Sequence, residues 1–251
     1  MIEIFSVKII FIIFLAFVAG FIKTTFGIGA GVFLTPIASL IVDPKVAVAI
    51  LAPLMLASDI TTLRYHWKKW NTHQLLIIVP CGLVGIVIGS IYLSWAPTKL
   101  AKLSIGFIAV IFSSFQIYRI CLLNSRLQKP FRSGFGVLVS FIAGIASAIA
   151  HSGGIVLTFY LITLNLSKYT FISTLTGYLF FNDVLKITLF YKFGILTNEL
   201  AIISICVIPS LFIGSFIGNK TVGILSQMQF VIIINILIFS SGVILILKSF
   251  N

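Results

Sequence analysis

Acidic residues are scarce in this chain. Five Asp and Glu stand among 251 residues, and all charged types together make up 9%. A soluble domain carries roughly 25% charged residues, so a water-facing globular surface is excluded. Cysteine is equally sparse. Cys81, Cys121 and Cys206 lie far apart, show no metal-ligand spacing and make no complete disulfide framework. They read as small apolar fillers. The compositions of fibrous, disordered or disulfide-stapled secreted chains are also missing. So are the signatures of soluble enzymes: there is no His-Glu-x-x-His, no Gly-x-Ser-x-Gly and no Walker loop. The five acidic residues, Glu3, Asp43, Asp59, Asp183 and Glu199, are too isolated in sequence to form an evident carboxylate pair. No cofactor and no metal is implied.

What remains is 60% hydrophobic. The apolar runs are too long and too numerous for one buried core, which makes this an all-α polytopic integral membrane protein. The net charge of +12 does not point to nucleic acid. Most of the Lys and Arg residues fall in short gaps between apolar runs, as expected of loops held on the cytoplasmic side. Lys8 followed by Ile9–Gly20 imitates a cleaved signal peptide. However, its pattern Ala16-Phe-Val-Ala-Gly20 recurs as Ser140-Phe-Ile-Ala-Gly144, so the segment is expected to stay as the first membrane helix.

That recurrence extends along the chain. A displacement of about 124 residues also aligns Ser58-Asp59-Ile60 with Asn182-Asp183-Val184, and one further residue aligns Gly89-Ser90 with Gly214-Ser215. The expectation is a single membrane domain over 1–251, with internal repeats 1–123 and 133–251 joined by a basic cytoplasmic loop at 119–132. Each half opens with an apolar stretch of odd length, 34 residues over Ile9–Val42 and 35 over Ser133–Ser167. Either one would make a helix of about 50 Å against roughly 30 Å of hydrocarbon. Each is broken by glycine, at Gly27-Ile-Gly29-Ala-Gly31 and at Ser152-Gly153-Gly154. A full helix, a glycine turn and a short arm fit such a stretch. Three further apolar segments follow in each half, 46–63, 75–95 and 100–118, then 169–190, 199–219 and 228–247.

The arms decide the topology. If they are re-entrant, there are eight full transmembrane helices, parallel halves and cytoplasmic termini. If they cross, there are ten helices, as inverted five-plus-five repeats with both termini outside. Lys8, Lys192 and Lys248 fall inside in the first scheme, and that favours eight.

Non-helical backbone at membrane depth is tolerated where protein or a polar cavity surrounds it, so the breaks are the expected site. Glycines let amide groups approach a ligand, and a helix starting after the break presents its positive end to an anion. Lys23, Thr24 and Thr25 add a cation and hydroxyls beside Gly27, Gly29 and Gly31; at the second break stand His151, Ser152, Gly153 and Gly154. The plain alternative for these glycines is close helix packing. His151 reads as a ligand, a proton carrier or a structural hydrogen-bonding group. Asp59 and Asp183 occupy matching places. Lys186, three residues after Asp183, shares its helical face and can neutralise it. Asp59 has Thr62 and Leu63 at those offsets instead, and so is the expected carrier of a coupling proton, with Asp183 second. For both, helix-to-helix anchoring is the alternative.

The run Gly20-Phe-Ile-Lys-Thr-Thr-Phe-Gly27-Ile-Gly29-Ala-Gly31, followed by Pro36, resembles the glycine-rich opening of the TauE/SafE family. Those are bacterial permeases associated with export of sulfite, sulfoacetate and related organosulfonates. The resemblance covers essentially the whole chain in size, two-half layout, basic central loop and both breaks. Ala30 stands where a further glycine is usual, and the second break reads His-Ser-Gly-Gly with no proline after it. The resemblance implies a multi-pass permease of the bacterial cytoplasmic membrane for a small oxyanion; the residues themselves point to an anion through the break amides, Lys23, His151 and Lys186. Its partners are that anion and the lipid bilayer; a homo-oligomer is left open. The rival classes are a membrane-embedded enzyme acting on lipid or quinone, and a membrane partner protein that transports nothing.

Overall fold

The computed structural model describes the backbone of residues 2–26, 30–122, 133–221 and 227–250, and the side chains of 9–24, 30–118, 134–221 and 232–250. Within these residues every regular element is helical. The order is α1 (Ile2–Phe26), α2 (Gly31–Ile41), α3 (Pro44–Tyr65), α4 (Thr72–Trp95), α5 (Thr98–Leu122), α6 (Ser133–Ala150), α7 (Gly153–Thr163), α8 (Lys168–Lys192), α9 (Asn198–Cys206), α10 (Ile208–Thr221) and α11 (Gln227–Phe250). The basic central loop lies outside the described side chains.

Polar side chains punctuate the apolar runs. The Asp43 carboxylate caps α3 by accepting the Lys45 N–H at 2.9 Å, with Pro44 in the first turn, and also accepts the Thr98 hydroxyl at 3.0 Å. Asn71, Ser167 and Thr197 cap α4, α8 and α9 in the same way. The expected single segment 199–219 is interrupted at Val207. Pro209 has no N–H to donate, so it sits in the first turn of a new helix, α10, in place of the interior of a longer one. Five helical stretches are long and apolar enough to cross a membrane: Pro44–Tyr65, Thr72–Trp95, Thr98–Tyr118, Asn198–Thr221 and Ile232–Phe250. The chain is an integral membrane protein. The arms α2 and α7 have 11 residues each, about 16 Å, or half the hydrocarbon thickness.

Contacts fix the helix directions. Lys99, at the start of α5, lies 5.6 Å from the ring of Phe250 at the end of α11, and Gly106 faces Gly242, so α5 and α11 are antiparallel. The end of α3 meets the start of α8, where the Ser173 hydroxyl donates to the His66 carbonyl at 2.7 Å. The start of α3 meets the end of α8 in a buried cluster that holds Val48, Ala52 and Phe190. These helices are antiparallel too. The α3–α4 turn and the α7–α8 turn share one end of the molecule, with Lys69 5.1 Å from the Tyr169 ring and the Asn71 N–H on the Thr174 hydroxyl at 2.9 Å. The eight-span expectation requires these turns on opposite faces and therefore does not match. An α7 that turned back would deliver α8 to the wrong side.

The helices of the two sequence halves interlock. Ser210 of α10 donates to the Ile13 carbonyl of α1 at 2.9 Å, and α6 lies along α4. Both crossings need glycine. A Cβ on Gly20 would stand 1.9 Å from the Leu211 carbonyl oxygen, and one on Gly144 would stand 2.1 Å from that of Gly82. These are backbone contacts in which no side chain can give way. Each core cluster is shared between the halves: Ala16, Leu34 and Leu54 pack with Leu211 and Ile238, while Ile78 packs with Ala143, Leu157 and Tyr178.

Candidate functional site

The interior of this helix bundle holds charge. Lys23 near the end of α1 forms an ion pair with Asp59 of α3. The Lys23 side chain keeps 12% of its exposure and that of Asp59 2%. In sequence Asp59 seemed unpartnered, because only its own helix was legible. Its cation comes from 36 positions away. The second pair lies within α8, where Lys186 Nζ is 2.6 Å from Asp183 Oδ1 and the lysine side chain is wholly buried. The two pairs are within electrostatic reach, since Asp59 senses both Asp183 and Lys186. Among the described residues the cluster holds two cations and two carboxylates and is neutral overall.

Lys186 is held further by the second break. Its ammonium lies 2.9 Å from His151 Nδ1 and 3.4 Å from the Ser147 hydroxyl. An ammonium only donates, so Nδ1 must accept. The Val48 carbonyl, 3.0 Å from Nε2, only accepts, so Nε2 carries the proton. His151 is therefore a neutral imidazole with both nitrogens engaged, tying α8 to the start of α3. It occupies the left-handed region at φ 52°, where α6 ends and where glycine is the usual residue. A non-glycine side chain there costs about 1–2 kcal/mol, sustained by the contacts on both nitrogens.

The two breaks touch. Gly31 opens α2 directly against His151: a Cβ on Gly31 would lie 2.4 Å from the His151 Cβ. Ser152 turns its hydroxyl onto the Ala146 carbonyl at 3.0 Å. Gly153 packs on α6, where a Cβ would meet the Ala143 carbonyl oxygen at 2.5 Å, while Gly154 faces the Leu179 side chain. These two glycines serve close packing in the described arrangement. Thr24 is exposed at the end of α1. Gly27, Gly29 and the Thr25 side chain lie outside the described residues.

Sequence reasoning passed over some polar groups that belong here. Ser147 was hidden in a run of small residues. Asn182 adjoins Asp183, is fully buried, and neither atom of its amide has a partner in bonding geometry among the described residues. The neighbouring Tyr178 hydroxyl donates to the Ser140 carbonyl at 2.7 Å. A polar residue inside an apolar run was the available signal for both. Among the described residues no group of three His, Cys, Asp or Glu is placed to hold a metal ion.

Two ion pairs thus stand inside the helix bundle beside two broken helices, a costly arrangement from which a static core gains nothing. No curated protein and no solved structure matches the chain. The family model described as sulfite exporter TauE/SafE matches residues 12–245, and the chain belongs to that family.

Proposed function

We propose that this protein is a secondary transporter, not an enzyme, that moves a small anion of the sulfite or organosulfonate class across the bacterial cytoplasmic membrane with proton coupling. The family is one of sulfite exporters. The observation that carries the reading for this chain is two ion pairs inside the bundle, part-buried Lys23 with buried Asp59 and buried Lys186 with Asp183, the second held by His151 where the glycine breaks meet. Intramembrane ionisable residues are costly and mark solute or proton pathways. The lysines supply cations for the anion, the Asn182 amide supplies a donor, and Asp59 and Asp183 change protonation during the cycle.

The topology we read is ten passes in two inverted repeats, with α2 and α7 as half-length arms. Antiparallel α3 and α8, and antiparallel α5 and α11, support it. Arg64, Lys68, Lys69 and Lys168 lie at the shared end of the α3–α4 and α7–α8 turns, which is the cytoplasmic end by the positive-inside rule. Alternating access then pivots on the glycine crossings of α1 with α10 and α4 with α6.

The test is uptake of labelled sulfite into proteoliposomes with and without an imposed pH gradient. Gradient-driven accumulation that is weakened in Asp59→Asn is the expected result. Accumulation indifferent to the gradient removes proton coupling. No flux with sulfite or with a panel of organosulfonates removes the substrate class.

A further inference from the structure

We infer that the two lysine–carboxylate pairs are charge-exchange sites, so that a dianionic oxyanion crosses together with two protons and no net charge. The inference rests on the transporter reading above and specifies the charge state of its substrate and its stoichiometry.

The argument begins from neutrality. Both cations of the interior are already matched, part-buried Lys23 by Asp59 and buried Lys186 by Asp183. The charged groups facing Asp59 are Lys23 from α1 and, at longer range, Asp183 and Lys186 from α8. Those at Asp183 are Lys186, with the neutral His151 behind it. An anion entering this setting as it stands would leave a buried charge uncompensated, a cost of several kcal/mol. It would also meet two carboxylates that repel it. Neutralising a carboxylate of the site relieves both. A proton taken up on a carboxylate oxygen forms a neutral acid, and the lysine, which keeps its own proton, is released to an oxygen of the anion. One proton therefore opens one lysine to one negative charge.

Two pairs make the site one for a dianion. With Asp59 and Asp183 both protonated, Lys23 and Lys186 match both charges of a sulfite-type oxyanion. His151 and Ser147 continue to hold Lys186 in position. When the anion leaves, the two protons leave with it, the ion pairs re-form, and the empty site is neutral again. Both the loaded and the empty protein therefore cross their transition without moving charge. A monoanionic sulfonate needs one pair only, and crosses with one proton.

Potassium diffusion potentials of either sign, set with valinomycin in proteoliposomes lacking a pH gradient, test this directly. The probe is labelled sulfite at an alkaline pH where it is the dianion, with an entrapped pH indicator counting protons and protein-free liposomes giving the leak. Equal initial rates at both signs of potential and two protons entering per sulfite are expected. Asp59→Asn leaves Lys23 permanently unmatched, so sulfite then crosses with one proton and one net negative charge. Its accumulation should come to depend on potential by up to about 50-fold per 100 mV. Asp183→Asn should behave alike from the other pair, which keeps the test alive if one variant fails to fold. Wild-type rates that follow the potential, or sulfite flux without proton entry, overturn the charge exchange and leave the transporter standing. No protein-dependent sulfite flux at all overturns the transporter reading, and the exchange falls with it.

Discussion

The two buried ion pairs solve one problem in different ways. Asp59 and Asp183 stand at matching positions of the proposed repeats, but their lysines do not. The position that matches Lys23 holds Ser147, and the one that matches Lys186 holds Thr62. In the first half the cation is carried by α1 and reaches across to α3. In the second it is carried by α8 itself and reaches back to Ser147, the α6 residue that stands in Lys23's place. The charge has kept its location while changing the helix that bears it. The consequence is mechanical. The Asp183–Lys186 pair moves as part of one helix and is clamped by His151, whereas Lys23–Asp59 is a tie between two helices that opens when they separate.

Deleting each cation should break the comparison most sharply. Lys186→Met empties a wholly buried position, strands the buried Asp183 carboxylate and removes the donor to His151 Nδ1, so a loss of about 3–5 kcal/mol is expected. Lys23→Met should cost less, about 1–2 kcal/mol, because the partly exposed place of the Lys23 side chain lets water approach the buried Asp59 carboxylate once the lysine is gone. Denaturant unfolding in detergent micelles measures both. The double variant Lys186→Met with Asp183→Asn, which removes the stranded charge, should recover most of the first loss. Equal losses at Lys23 and Lys186, or no recovery in the double variant, would show that the pairs do not differ in burial as described.

The glycines of the two breaks allow a second, smaller contrast. Gly31→Ala drives a methyl against the His151 Cβ, an atom held close to the backbone and unable to swing away. Gly154→Ala meets only the tip of Leu179, at 3.2 Å, which can rotate. The first should lower stability by about 1–3 kcal/mol and slow transport, and the second should change stability by less than about 1 kcal/mol. Thermal unfolding alongside sulfite uptake separates them. If Gly154→Ala proved the more damaging, the contact between the two breaks would not be the tight one.

How much of this was legible beforehand follows from what a one-dimensional pattern encodes. Membrane class, helix order and the two breaks follow from apolar run lengths and glycine, both local properties. Asp183–Lys186 was visible because its members sit one turn apart on one helix. Lys23–Asp59 was not, since it depends on α1 packing beside α3. The topology we propose departs from the expected one for a related reason. Lys8, Lys192 and Lys248 weighted the charge count toward eight spans, but helix direction is decided by which ends meet, as Lys69 meets Tyr169 and Lys99 meets Phe250. Charge bias ranks whole topologies, whereas contacts between turns exclude one.

His151 offers the finest test, because it holds a non-glycine side chain at φ 52° beside the buried Asp183–Lys186 pair. Replacement by alanine loses the bonds to Lys186 and Val48 and keeps a Cβ at φ 52°. Replacement by glycine loses the same bonds but relieves the left-handed strain. If the strain is sustained by those two bonds, His151→Gly should be more stable than His151→Ala by about 1 kcal/mol, though both fall below wild type. Paired unfolding curves resolve a difference of that size. Were alanine as stable as glycine, residue 151 would have relaxed out of the left-handed region once its ring was gone. The second break would then be held in shape by the imidazole alone, not by the path of the chain between α6 and α7.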